Sequence, residues 1–188
     1  MKVVIAPDSF KESMSAKEVC DCAERGILSL FPDWEIVKVP MADGGEGTVE
    51  SLIDGTNGKI YNEETLDPLG EKIVSKYGVL GDKNIAIIEM ATTSGLELIP
   101  EAKRNPYRTT TYGTGQLMLK ALDHNVEKII LGIGGSATTD GGAGMLQALG
   151  AKLTDKEGKE IGFGGFELGK LENIDFSGLD ERLKNVEI

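Results

Sequence analysis

The sequence predicts an α/β fold: a Rossmann-like parallel βαβ lobe followed by a second, mixed α/β domain. Three observations carry this prediction. Residues 2–54 alternate between strand and helix patterns, residues 59–90 switch to short strands joined by tight turns, and residues 113–154 return to helix and strand in alternation.

Each element has a local reason. Lys2–Ala6 is a β-branched run closed by Pro7, the mark of a short buried strand. Ser15-Ala16-Lys17-Glu18 forms a capping box, after which Val19, Cys22, Ala23, Ile27 and Leu30 recur at helical spacing until Pro32 stops the helix. Trp34–Val39 reads as the next strand, and a glycine loop leads to a helix from about Thr48 to Ile53. Lys59–Leu66, Lys72–Leu80 and Asn84–Met90 are strands whose turns, Pro68-Leu69-Gly70 and Gly81-Asp82, are too short for crossovers, so they form antiparallel hairpins. This change of period places a domain boundary near residue 68, giving one lobe over 1–68 and a second domain over 69–188. A turn over Thr93–Pro100 precedes a helix at Gly113–Asp123 and a strand at Lys128–Leu131. Gly141–Leu149 is again helical and Ala151–Thr154 extended, whereas the chain from Gly158 is too weakly patterned to assign.

Composition removes several function classes. The 188 residues include 31 acidic and 20 basic side chains, a net charge of −11, which disfavours nucleic acid as a partner. Cys20 and Cys22 are the only cysteines and do not share a helix face, so neither a disulfide framework nor a cysteine-rich zinc site is expected and the default setting is the reducing cytoplasm. The one histidine, His124, sits at a fraying helix end and reads as a surface residue, which leaves a carboxylate or a lysine as any general base. No apolar run approaches the roughly 18 residues of a membrane span, so no membrane association is expected. Glycine is the outlier: 25 residues, about 13% against a usual ~7%, with eleven of them between Gly132 and Gly165.

Three loops are placed to carry chemistry. Pro7–Ser13 follows the first strand, where ligands bind in open α/β sheets. Within it Lys11 is suited to hold a phosphate or carboxylate and Asp8 to bind metal or accept a proton; Asp8 and Ser9 capping a turn beside a solvated Lys11 is an equal alternative. Asp43–Thr48 follows the next strand. Gly44, Gly45 and Gly47 allow close backbone approach to an anion, while Asp43 and Glu46 suit Mg²⁺; an ordinary acidic strand–helix turn is the plainer reading. Gly132–Gly142 follows the apolar strand, with bare amides, the hydroxyls of Ser136, Thr138 and Thr139, and Asp140 placed for a metal ion. No Walker sequence occurs, but Gly132-x-Gly134-x-x-Ala137 matches the relaxed dinucleotide pattern, with Asp155 about 20 residues on. A nicotinamide-dependent dehydrogenase therefore competes with a phosphate-binding loop.

Taken together, Ala6–Ser13, Met41–Thr48 and Gly132–Met145 resemble the corresponding strings of the bacterial glycerate kinases. The resemblance runs the length of the chain, through Asp67–Gly70, Glu89–Pro100 and Tyr112–Gly115, with Met14 where leucine is usual and Thr139 where asparagine is usual. It implies two α/β domains, the first completed by a C-terminal segment, so this chain corresponds to an N-terminal half that stops about where the second half begins. It also implies a cytoplasmic enzyme that phosphorylates D-glycerate to 2-phosphoglycerate with ATP and Mg²⁺, and a homo-oligomer or a pairing with the missing C-terminal half. On this reading Gly44, Gly45, Gly47, Gly134, Gly135, Ser136 and Thr138 hold the nucleotide phosphates, and Asp43 and Asp140 hold Mg²⁺. Lys11 meets transition-state charge or the glycerate carboxylate, Asp8 is the base, and Ser9 and Ser13 bind substrate. Arg104 and Arg108 either clamp the carboxylate or are simply solvated. The alternatives are the dehydrogenase and a non-catalytic fragment that binds a ligand or partner.

Overall fold

The computed structural model describes residues 1–10, 13–42, 44–45, 47–54, 56–81 and 84–188, residue 54 by its backbone alone. Strands β1 (Lys2–Ile5) and β2 (Glu35–Lys38) pair in parallel with Val3 opposite Ile36 and Val4 opposite Val37, joined by helix α1 (Ala16–Leu30). The crossover is the expected βαβ unit. Its helix starts on the predicted capping box: Ser15 Oγ accepts the Glu18 N–H at 3.2 Å, and the Glu18 carboxylate accepts the Ser15 N–H at 2.8 Å. Those bonds, that of the backbone first, hold the Glu18 carboxyl below the usual range. Lys38 then ties β2 to the helix through Asp21 and Glu24, at 2.8 and 2.7 Å.

The second sheet has the order β3 (Lys59–Leu66), β4 (Lys72–Val79), β5 (Ile85–Glu89), β6 (Lys128–Gly132). The β3–β4 and β4–β5 pairs are antiparallel, as the short turns require, and β5–β6 is parallel. Between β5 and β6 the chain passes through a short helix α3 (Ala91–Ser94) and the longer α4 (Tyr112–Leu122). Residue 68 lies in the β3–β4 turn, where Asp67 Oδ1 accepts the N–H groups of Leu69 and Glu71, both at 2.8 Å. The two strands flanking that position share one continuous register.

Alternation along β5 sandwiches the sheet. Ala86 and Ile88 pack with Leu117, Met118 and Ala121 of α4, while Ile87 faces Val49 and Ile53 of helix α2 (Thr48–Asp54) on the other side. Helix α2, placed by its sequence in the first lobe, thus covers the second sheet. Its apolar stripe finds there a closed surface, and Val49 and Ile87 are fully buried.

Helix α5 (Ala143–Ala148) packs on α4, and β7 (Lys152–Thr154) pairs antiparallel with β8 (Asn173–Asp175). The tail that carries no period is built from 3₁₀ turns over Gly165–Lys170 and Glu181–Asn185, with Leu168, Leu171 and Leu179 closing a small cluster on Ala151 and Leu153. His124 is not a surface residue: it is half-buried, its Nε2 2.9 Å from the Tyr77 hydroxyl and its ring 4.2 Å from that of Tyr61. Among the described residues no helix is long and apolar enough to cross a membrane.

Candidate active site

The loop after β1 closes on itself. The Phe10 N–H donates to Met14 O at 2.8 Å, and Ser13 and Met14 both donate back to Phe10 O at 2.9 Å. This ring brings Ser9 and Ser13 together, and Asp8 Oδ1 accepts the Ser9 N–H at 2.7 Å, which orients its carboxylate. Met41 N–H donates to Pro7 O at 2.9 Å, so the ends of β1 and β2 meet. Together they wall a cavity of about 510 Å³ whose lining includes Asp8, Ser9, Ser13 and Gly47. Lys11 and Asp43 lie outside the described residues.

Two further walls of this cavity come from the second sheet and α2, through Lys76 of β4 and Glu50. Sequence reasoning did not select either residue. Lys76 sits in an unremarkable strand pattern, and nothing local signals that Asp8 and Lys76 face one space.

Gly44 and Gly45, just before the cavity-lining Gly47 in the chain, pack against the glycine-rich loop after β6. Gly134 N–H donates to Gly44 O at 3.3 Å, and a Cβ on Gly132 would lie 2.3 Å from that same Gly44 oxygen, which only glycine avoids. The Gly134–Thr139 segment is pinned from behind. Leu96 N–H donates to Gly135 O at 3.0 Å, Ala137 N–H to Ser94 O at 2.9 Å, and the hydroxyls of Thr109 and Thr139 to Ala137 O and Pro106 O, both at 2.7 Å. Gly135 and Ser136 remain exposed, and Ser136 Oγ lies 2.9 Å from Thr138 Oγ1. An exposed turn of small residues edged by hydroxyls fits a phosphate group, and no carboxylate faces it from within the segment.

Asp140 differs from its expected role. Its side chain is 1% exposed and turned inward, where Oδ2 accepts the Thr111 N–H at 2.8 Å, the Thr111 hydroxyl at 2.9 Å and the Gly144 N–H at 3.1 Å, and Oδ1 accepts the Gly142 N–H at 3.2 Å. Four donors satisfy this carboxylate, so it fastens the loop to the starts of α4 and α5. Among the described residues no group of three or more His, Cys, Asp or Glu side chains is placed to hold a metal ion. Asp43 and Glu46, the other carboxylates suited to Mg²⁺ by their sequence setting, lie outside the described residues. Arg104 and Arg108 lie on an exposed loop, Arg104 donating to Ile99 O at 3.3 Å, and neither lines the cavity that holds Asp8.

The dinucleotide alternative fails on geometry. In that motif the glycines open the helix directly, whereas here α5 begins at Ala143, after the loop has continued past Ala137. Asp155 follows β7, which pairs with β8 outside the β3–β6 sheet, and its Oδ1 is occupied by the N–H groups of Glu157 and Lys159.

Residues 3–188 match the model of the glycerate kinase family. The chain is 57% identical over all of its 188 residues to the glycerate kinase of Bacillus subtilis, covering 49% of that protein. It is 58% identical over 185 residues to the glycerate 2-kinase of Escherichia coli, again 49% of that protein. A solved chain from Salmonella typhimurium LT2, described as a candidate glycerate kinase 2, superposes with a TM-score of 0.88 at 54% identity, covering 99% of this chain and 50% of that one. The chain spans about half the length of the relatives it matches.

Proposed function

This chain belongs to the glycerate kinase family, and on that premise we propose that it forms the acceptor and phosphate-binding parts of an enzyme that phosphorylates the 2-hydroxyl of D-glycerate with ATP. One observation carries the reading: Gly44–Gly47 touches both sites, Gly47 lining the Asp8 cavity while Gly44 meets Gly132 and Gly134 of the phosphate loop. An acceptor held in the cavity lies beside a triphosphate held on the loop, and phosphoryl transfer asks mainly for that positioning.

In the proposed reaction the acceptor hydroxyl gives its proton to Asp8. The freed oxygen bonds to the terminal phosphorus as the bond to ADP breaks. Ser9 and Ser13 hold the acceptor's polar groups, and Ser136, Thr138 and the backbone of Gly134 and Gly135 hold the phosphates. The inward-turned Asp140 keeps the loop in shape, and Mg²⁺ carried on the nucleotide would offset the charge of its phosphates. The name of the Escherichia coli relative supports transfer to the 2-position. The test is ADP release coupled to D-glycerate, with the product's phosphate placed by NMR. D-Glycerate-dependent ADP and a 2-phosphate are expected; saturable NAD binding without such ADP release overturns the reading.

A further inference from the structure

Lys76 reaches the cavity from outside the three loops singled out in the sequence. On β4 its neighbour Tyr77 packs in the core beneath α4, while Gly78 lies against Ile53 of α2, so alternation sends the Lys76 side chain to the α2 face. There its ammonium pairs with Glu50 Oε1, and the lysine side chain keeps 35% exposure. The other Glu50 oxygen, Oε2, is buried and has no hydrogen-bond partner. Both side chains line the same cavity as Ser9, Ser13 and Asp8.

This pair is poorly explained as a structural brace. Ion pairs that stay partly hydrated contribute little to stability, and this one leaves a buried acceptor unsatisfied. A lysine is a compact charge on a flexible four-carbon stem, so its ammonium can exchange one carboxylate for another while β4 stays still. Along the remaining wall Asp8 and the hydroxyls of Ser9 and Ser13 suit a ligand's hydroxyl group, and Lys17 adds a second ammonium to the lining. The two walls together complement a short hydroxy acid, its carboxylate toward Lys76 and its hydroxyl toward Asp8.

We infer that Lys76 is a substrate-binding residue that takes the carboxylate of the hydroxy acid, with Glu50 as the counter-ion it leaves or shares. This rests on reading the cavity as the acceptor site. The carboxylate of the incoming acid replaces Glu50 at the ammonium, so removing the Glu50 charge strengthens binding.

The test is calorimetric titration of the full chain with D-glycerate and with its uncharged amide, D-glyceramide. Wild-type protein is expected to prefer D-glycerate. Lys76→Met weakens D-glycerate at least tenfold and leaves D-glyceramide within twofold, Lys76→Arg retains the preference, and Glu50→Gln tightens D-glycerate severalfold. The double variant Lys76→Met with Glu50→Gln, which leaves no unpaired carboxylate, behaves as Lys76→Met alone. A double variant that still prefers D-glycerate, or that loses both ligands equally, overturns the role of Lys76. Wild-type protein that takes up neither ligand overturns the reading of the cavity itself.

Discussion

Asp140 accepts both the backbone N–H and the hydroxyl of Thr111, at 2.8 and 2.9 Å, across a separation of 29 residues. The Thr111 hydroxyl in turn accepts the Met145 N–H at 2.9 Å, so one carboxylate and one hydroxyl join the starts of α4 and α5 beneath the phosphate loop. Asp140→Asn places an amide N–H₂ where N–H and O–H donors converge. It is expected to cost about 2–4 kcal/mol and to lower Tm by roughly 5–15 °C. Thr111→Val removes part of the same network, so thermal denaturation of the double variant is expected to show a loss smaller than the sum of the singles.

Gly132 sets how closely its own loop approaches Gly44. A methyl group there meets the oxygen and carbonyl carbon of Gly44, at 2.3 and 3.0 Å, and backbone atoms do not give way as a side chain does. Gly132→Ala is expected to lose about 1–3 kcal/mol of stability. The separated loops are expected to bind nucleotide more than tenfold more weakly, read by nucleotide titration below the melting transition.

Tyr77 gives the fold an alkaline limit. It is 1% exposed, with its hydroxyl donating to Lys120 O at 3.2 Å and lying 2.9 Å from His124 Nε2. Burial first, then the nearby Glu63 carboxylate, pushes its phenol well above the usual tyrosine range. In the unfolded chain the phenol ionises near pH ~10. Above that pH the native state holds a proton that the unfolded state has released, so stability falls as pH rises, by at most about 1.4 kcal/mol per pH unit from this group. Its contribution is complete below pH ~10. Denaturant unfolding at pH 9 and pH 11 is expected to show a steeper loss for wild type than for Tyr77→Phe; parallel losses contradict this account.

The fold was largely legible where periodicity and turn length act locally. The Ser15–Glu18 box, the short turn at residues 68–70 and the β-branched runs each have one physically sensible conformation, although β1 is not the buried strand expected, with Val4 59% exposed. The packing of α2 was not legible, because Val49 and Ile53 announce an apolar face and leave open which sheet receives it. The same limit applies to the site. A carboxylate in a glycine-rich loop reads as a metal ligand until Thr111 and Gly144 are seen to turn Asp140 inward. His124 reads as a surface residue until Tyr61 and Tyr77 are seen against it. Lys76 carries no local mark at all, since its role depends on a helix and a loop brought to it from elsewhere in the chain.

The central claim is that an acceptor cavity and a phosphate loop meet at Gly44–Gly47. Amide NMR of the chain, titrated with D-glycerate and then with ATP and Mg²⁺, tests it most directly. D-Glycerate is expected to move the resonances of Asp8, Ser9, Ser13 and Lys76, and the nucleotide those of Gly134, Gly135, Ser136 and Thr138, with Gly44 and Gly47 responding to both. D-Glycerate moving only the Arg104–Arg108 loop, or the nucleotide leaving Gly134–Thr138 unmoved, contradicts it.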